Sequence, residues 1–277
     1  MSFVRELFKE LRKDNVFNGA AALGFYLTLA IFPTMIFLMA LIPYLPIARV
    51  DEAIMDLMRQ ALPARAAEVF SNVVQEVVGE RRGGLLTLGL VAALWASSTG
   101  MYAIMQQLNI VYDVAERRPF LRARATALVL TVLFAILILG AFSLVVLGGV
   151  IQGWLASRLG LSATLLGFFV VFRWVVIVFA LLLAIALIYH FAPNRRIPLA
   201  LVTPGSMLAT LLLIAASLAF RVYVANFGNY SATYGSIGAV IILMLWLYMA
   251  GLVILIGAEV DDMRGRAKSG GEVHEPS

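Results

Sequence analysis

The sequence contains no cysteine. Disulfides, thiol nucleophiles, zinc–thiolate sites and iron–sulfur clusters are therefore excluded. Histidine is nearly as scarce, with only His190 and His274 present, too few for the histidine-rich metal sites of nucleases or oxygenases. The chain has no Gly-rich phosphate loop, no H-E-x-x-H pair and no G-x-S-x-G elbow, so the common phosphate, zinc-hydrolase and serine-hydrolase constellations are missing. No catalytic residue, metal site or cofactor is expected. Charge is sparse as well. Only 13% of the 277 residues are charged, against about 25% in a typical soluble domain.

Hydrophobic residues make up 62% of the chain. A single globular core could not bury them all, so they require lipid. A span needs roughly 20 apolar residues, and six stretches qualify. They run from about Phe17 to Leu45, Leu85 to Val111, Ala125 to Ile151, Leu165 to Phe191, Leu199 to Ala225 and Tyr234 to Ala258. The fold expected is all-α, a polytopic bundle of six spans. Residues 1–16 read as a retained cytoplasmic amphipathic helix, with Phe3, Val4, Leu7, Phe8 and Leu11 on one side and Arg5, Lys9, Arg12 and Lys13 among its polar residues. Such a helix either lies on an anionic leaflet or simply leads into the first span. Residues 17–262 form the membrane domain. Residues 263–277 read as a short, disordered, Gly-containing cytoplasmic tail.

The net charge of +5 has to be located before it means anything. With the N-terminus inside, thirteen Lys and Arg fall on inside segments: four before the first span, four at Arg117–Arg124, Arg195 and Arg196, and three after Asp262. Six fall outside, and Arg173 and Arg221 lie within spans. The positive-inside rule then places both termini in the cytoplasm. Basic residues at span ends speak for orientation and against a nucleic-acid partner. The segment 46–84 carries five Arg against six acids and is too polar to cross. It reads as two amphipathic helices broken at Pro63, forming an extracytoplasmic cap between spans 1 and 2.

Polar groups at membrane depth need a partner or water. Arg173 and Arg221 fall in the outer half of the membrane under this orientation. One reading is a basic recess for a lipid phosphate or substrate carboxylate; the other is snorkelling to the outer headgroups. Ser97, Ser98 and Thr99 sit midway along the second span, and Gln106 and Asn109 lie three residues apart nearer its inner end. They are candidates for a polar path or, alternatively, for interhelical hydrogen bonds. Pro33 is a candidate hinge, because a proline inside a helix removes one backbone hydrogen bond. Glu259 sits at the inner end of the sixth span, where an acid is ordinarily solvated or ion-paired. His190 reads as an interfacial anchor.

Four stretches have a familiar ring: AAALGFYLTLAIFPTMIF around Pro33, LNIVYDVAERRPFLRAR across the second inside loop, YHFAPNRRIP, and YGSIGAVIILMLWLYMAGLVILIGAE through the last span. In this combination and order the chain resembles the YihY/virulence factor BrkB family. The resemblance implies six spans and a bacterial cytoplasmic membrane. Members of that family have carried a ribonuclease label, and others have been linked to serum resistance and lipid export. It supplies no agreed active-site residues to transfer.

Three functions compete. A transporter or flippase-like protein for an anionic or amphiphilic, lipid-like substrate leads. An envelope scaffold whose cap docks a partner is second, and a membrane-bound enzyme, including a ribonuclease, is last. Expected partners are membrane lipids, an anionic lipid or small-molecule substrate, and a second copy of the chain in a homo-oligomer.

Overall fold

The structure is a computed structural model that describes residues 3–41, 83–159, 163–195, 200, 202–227 and 236–271. Seven helices occur among these residues: α1 (Phe3–Lys13), α2 (Val16–Leu41), α3 (Gly83–Val111), α4 (Phe120–Leu159), α5 (Ala163–Phe191), α6 (Pro204–Phe227) and α7 (Ser236–Gly271). Six of them, α2 to α7, are long and apolar enough to cross a membrane. Lipid enforces this architecture, since a helix satisfies its backbone groups within one segment. Large side chains such as Val91, Trp95, Ile136, Phe168 and Leu211 stay exposed along the spans, as a lipid-facing surface requires. Of the expected cap, 46–84, residues 46–82 lie outside the described residues, and Gly83 and Gly84 open α3.

Among the boundaries that differ from the sequence reading, two bear on the polar groups described below. The fifth span begins at Pro204, not Leu199. Thr203 caps it: its Oγ1 accepts from Ser206 N at 3.0 Å, while Ser206 Oγ accepts from Thr203 N at 2.9 Å. This reciprocal cap leaves Pro204 in the first helical position, where its missing N–H costs nothing. The last helix runs on past Ala258 to Gly271. Residues 263–271 are thus helical rather than a disordered tail, and 272–277 lie outside the described residues.

The chain divides into two compact units. One consists of Phe17–Ala103 and Ile214–Leu252. In it the backbones of α2 and α7 approach closely: a Cβ on Gly24 would lie 3.2 Å from Tyr248 N, and one on Gly251 would lie 3.2 Å from Leu23 Cβ. Small residues at such crossings allow packing where no hydrophobic force between helices exists. Pro33 lies inside α2, which continues beyond it to Leu41.

The other unit comprises Met1–Val16, Ile104–Leu213 and Val253–Ser277. It gathers α1, the end of α3, α4, α5, the start of α6 and the end of α7, together with the loops that join them. Met105, Leu108, Val111, Ile185, Ile188 and Leu255 are among its fully buried side chains. Here α6 meets α7 without side chains between them. A Cβ on Gly257 would lie 2.7 Å from Gly205 O and 2.5 Å from Tyr189 Oη.

Candidate functional site

The polar chemistry of this second unit concentrates where its helices end. Helix α3 stops at a left-handed residue, Asp113 (φ 50°). Val114 N donates to Asn109 O at 2.9 Å and Asp113 N to Ile110 O at 3.0 Å, the pairing that satisfies the last carbonyls of a helix. Helix α1 likewise ends at Asn15 (φ 54°). Asp and Asn tolerate this conformation better than other non-glycine residues. The two stops turn the chain sharply and bring their acidic neighbours together.

Around the α3–α4 loop a closed network forms. The Glu116 carboxylate accepts from Asn109 Nδ2, Arg118 N and Arg118 Nε, each at 2.9 Å. Arg118 Nη2 also donates to Ala192 O at 2.7 Å. Asn109 Oδ1 accepts from Asn194 N at 2.7 Å, and Asn194 Nδ2 donates to Ala115 O at 3.0 Å. Burial alone would raise the Glu116 carboxyl, but the Arg118 and Asn109 hydrogen bonds outweigh it and hold that carboxyl below its usual range. At the start of α6, Asp261 accepts from Gly205 N at 2.6 Å and from Thr203 Oγ1. A carboxylate at a helix N-terminus is favoured by the helix dipole. Asp262, with only 2% of its side chain exposed, pairs with Arg195 at 3.2 Å and with Arg266.

Beside these satisfied groups stands a set that is not. Glu10, Asp14 and Glu259 each offer an oxygen within 4.8 Å of the others. Glu259 is fully buried, and neither of its carboxylate oxygens has a hydrogen-bond partner; Asp14 Oδ2 has none either. The Lys13 ammonium lies at the rim, 3.1 Å from Glu10 Oε2, 3.9 Å from Asp14 Oδ1 and 3.2 Å from Asp113 Oδ2. Its hydrogen bonds to Glu10 and Asp113 raise its pKa. Burial raises the Asp14 carboxyl pKa, with Lys13 opposing and Asp113 adding to the shift. These three carboxylates form an all-oxygen donor set suited to a hard cation.

The residues singled out from sequence distribute as follows. Asn109 is buried in the Glu116 network, whereas Gln106 is exposed on the same helix. Ser98 is buried and donates to Trp95 O at 2.8 Å, and Thr99 donates to the same carbonyl at 2.9 Å. Ser97 Oγ pairs with Thr34 Oγ1 at 3.3 Å, joining α3 to α2. These three belong to the first unit and Gln106 and Asn109 to the second. Arg173 is half-buried on α5, its Nε is buried without a hydrogen-bond partner, and its guanidinium carbon lies 6.0 Å from the Trp174 ring centre. Arg221 is exposed on α6 and falls in the other unit. An apolar groove of about 510 Å³ runs beside Trp174 and Phe179 on α5; Arg173 does not line it. His190 stacks edge-on against Phe191 at 4.4 Å.

Sequence reasoning missed Glu116, Asp14, Asp261 and Asp262. One signal was present: the two stretches LNIVYDVAERRPFLRAR and YHFAPNRRIP meet in the Asn109–Asn194 and Arg118–Ala192 hydrogen bonds.

Comparison with known proteins places these features in context. Residues 7–277 match a family model described as virulence factor BrkB. A relative in Bacillus subtilis (strain 168) that bears the name ribonuclease-like protein YfkH is 37% identical over 268 residues, covering 97% of each chain. A protein of Alkalilimnicola ehrlichii named UPF0761 membrane protein is 32% identical over 93% of this chain and 56% of its own length. One of the same name in Xanthomonas oryzae pv. oryzae is 27% identical over 94% of this chain and 60% of its own length. The chain thus spans little more than half of those two relatives. No solved structure matches.

Proposed function

The chain belongs to the virulence factor BrkB family of multi-pass bacterial cytoplasmic-membrane proteins, and from that premise we propose that it is a transporter or flippase-like protein for an anionic or amphiphilic, lipid-like substrate. The supporting observation is Arg173. A charged side chain within a span costs at least about 2.5 kcal/mol unless compensated. Among the described residues Arg173 forms no ion pair, and its Nε is buried without a hydrogen-bond partner. Its neighbours in α5, Phe172, Trp174 and Val175, are apolar and exposed. An anionic headgroup reaching this helix face would meet a planar guanidinium able to bind phosphate bidentately, which Lys cannot match.

The test is transport and lipid binding in liposomes containing phosphatidylglycerol. Arg173→Leu should insert and fold but lose anionic-lipid binding and translocation of a fluorescent lipid, and Arg173→Lys should restore them in part. Unchanged lipid binding and translocation in folded Arg173→Leu would overturn the reading. The same assay decides against the scaffold alternative, because a scaffold moves no lipid. Ribonuclease activity remains the less favoured reading. The name of the Bacillus relative describes that protein, and in this chain the unpartnered carboxylate Glu259 is sealed from solvent, whereas RNA cleavage requires access for a bulky polyanion. Cleavage of RNA by the purified protein, abolished by a point substitution in this chain, would reverse that ranking.

A further inference from the structure

We propose that Glu10, Asp14 and Glu259 bind a hard divalent cation that fastens the N-terminal helix α1 to the last span α7. Glu10 and Asp14 lie four residues apart at the end of α1 and Glu259 lies in α7, and their ligand oxygens all lie within 4.8 Å of one another. Oxygens on opposite sides of a Ca²⁺ ion at about 2.4 Å are about 4.8 Å apart, and those around Mg²⁺ lie closer. The spacing therefore accommodates Ca²⁺ as it stands, and a smaller ion once the three side chains draw in slightly.

An acidic cluster alone would be unremarkable on a protein surface. This one is not on the surface. Glu259 is wholly buried with both oxygens lacking a donor, and Asp14 Oδ2 is in the same position. Buried carboxylates left without donors are costly, and proteins ordinarily supply them with a hydrogen bond, a counter-charge or a metal. The backbone makes matters worse. Asp14 directly follows the last turn of α1, at the negative end of its dipole, where a cation is favoured and a carboxylate is not. A helix placed this way contributes to a cation-attracting potential.

The charge balance points to a divalent ion. Three carboxylates face one ammonium, Lys13, which already spans Glu10, Asp14 and Asp113. Arg266 comes no nearer than 4.0 Å to Glu10 and is held by Asp113 at 2.8 Å and by Asp262. Two negative charges are left over. A single shared proton would remove one of them, whereas a divalent cation removes both. The ligands are oxygen only, which suits Mg²⁺, Mn²⁺ or Ca²⁺ and not a thiophilic metal. Lys13 is the natural competitor, and on metal binding its ammonium would shift toward Asp113.

The experiment uses full-length protein in detergent at pH 7.5, stripped with chelator and desalted, with Mn²⁺ as the probe. Electron paramagnetic resonance titration should show one saturable Mn²⁺ per chain, displaced by Mg²⁺ or Ca²⁺, and thermal stability should rise with the metal. Glu259→Gln and Asp14→Asn should each weaken binding by at least about tenfold, because affinity follows the ligand charge count. Metal-free Glu259→Gln should be no less stable than metal-free wild type, since it removes an uncompensated buried charge. Lys13→Gln should tighten binding several-fold by removing the competing ammonium, an effect that a purely structural ion pair would not give. If Glu259→Gln fails to fold, the wild-type titration, Asp14→Asn and Lys13→Gln still decide. The proposal is overturned if the wild type shows no saturable Mn²⁺ at millimolar concentration. It is overturned equally if both carboxyl variants bind as the wild type does, or if only acidification stabilises the protein. None of these readouts involves lipid movement, so failure here leaves the transport reading standing.

Discussion

Replacing Glu116 by Ala tests whether the loop network holds this end of the bundle together. The carboxylate takes one hydrogen bond from Asn109 and three from Arg118, counting the backbone N–H and the Nη2 contact at 2.9 Å. The pair is mostly buried, with 22% and 13% of the Glu116 and Arg118 side chains exposed. Hydrogen bonds to charged groups contribute about 1.5–3 kcal/mol, and breaking a buried pair by removing one partner costs about 3–5 kcal/mol. Arg118 would keep its bond to Ala192 O, and the partial exposure lets water reach it. A loss of roughly 3 kcal/mol is therefore expected. At about 2–4 °C per kcal/mol for a chain somewhat smaller than this one, the apparent melting temperature in detergent should fall by roughly 6–10 °C. Arg117→Ala is the control, because Arg117 is exposed and should shift melting by no more than about 2 °C, the equivalent of about 0.5 kcal/mol. The pH dependence adds a second readout. The Glu116 carboxyl lies below its ordinary value of 4.5 in the folded protein. Its stabilisation is thus fully present above that value and is lost as pH falls through the lower, folded one. The gap between wild type and Glu116→Ala should be widest near neutral pH and close under acid. A variant that melts with the wild type at pH 7 would refute the network's role.

Two further outcomes can be checked directly. Gly257→Ala should destabilise the protein by about 3 kcal/mol or more, or prevent folding, because its methyl would press on Tyr189 Oη, Ala209 Cβ and the backbone oxygen of Gly205; wild-type yield and melting in this variant would show that α6 and α7 are not in glycine contact. Because the chain has no cysteine, single substitutions Glu68→Cys and Arg117→Cys can be labelled in whole cells, and an impermeant maleimide should reach the first and not the second; labelling of both from the same side would sink the six-span arrangement with its termini inside.

The membrane made most of this fold legible, because lipid tests hydropathy over every span. The six apolar runs appear as helices α2 to α7 with five ends displaced by four or more residues. The fifth span shows what a local signal adds. Thr203-Pro204-Gly205-Ser206 is a helix start written in the sequence, with a hydroxyl cap and a proline in the first turn, and hydropathy alone overran it to Leu199. The polar pairings were not legible in the same way. Asn109 and Asn194 are 85 residues apart and Asp261 lies 56 residues from Gly205, and no periodicity in one sequence joins such positions.

The sixth span shows that a small boundary error has chemical consequences. Ending it at Ala258 makes Glu259, Asp261 and Asp262 interfacial acids, which water would satisfy. Helix α7 in fact continues to Gly271, so these acids remain on a packed helix. Glu259 and Asp262 are then buried, and helical geometry, in which residues three or four apart share a face, separates Glu259 from Asp261 and sends the two to different partners. Asp261 reaches the start of α6 and is satisfied there. Glu259 lies beside Asp14 and Glu10, and among the described residues neither of its oxygens has a hydrogen-bond partner. Whether an acid near a span end is ordinary or chemically significant depends on where the helix stops, and in this chain the position of that stop separates a solvated carboxylate from a buried one that lacks a partner.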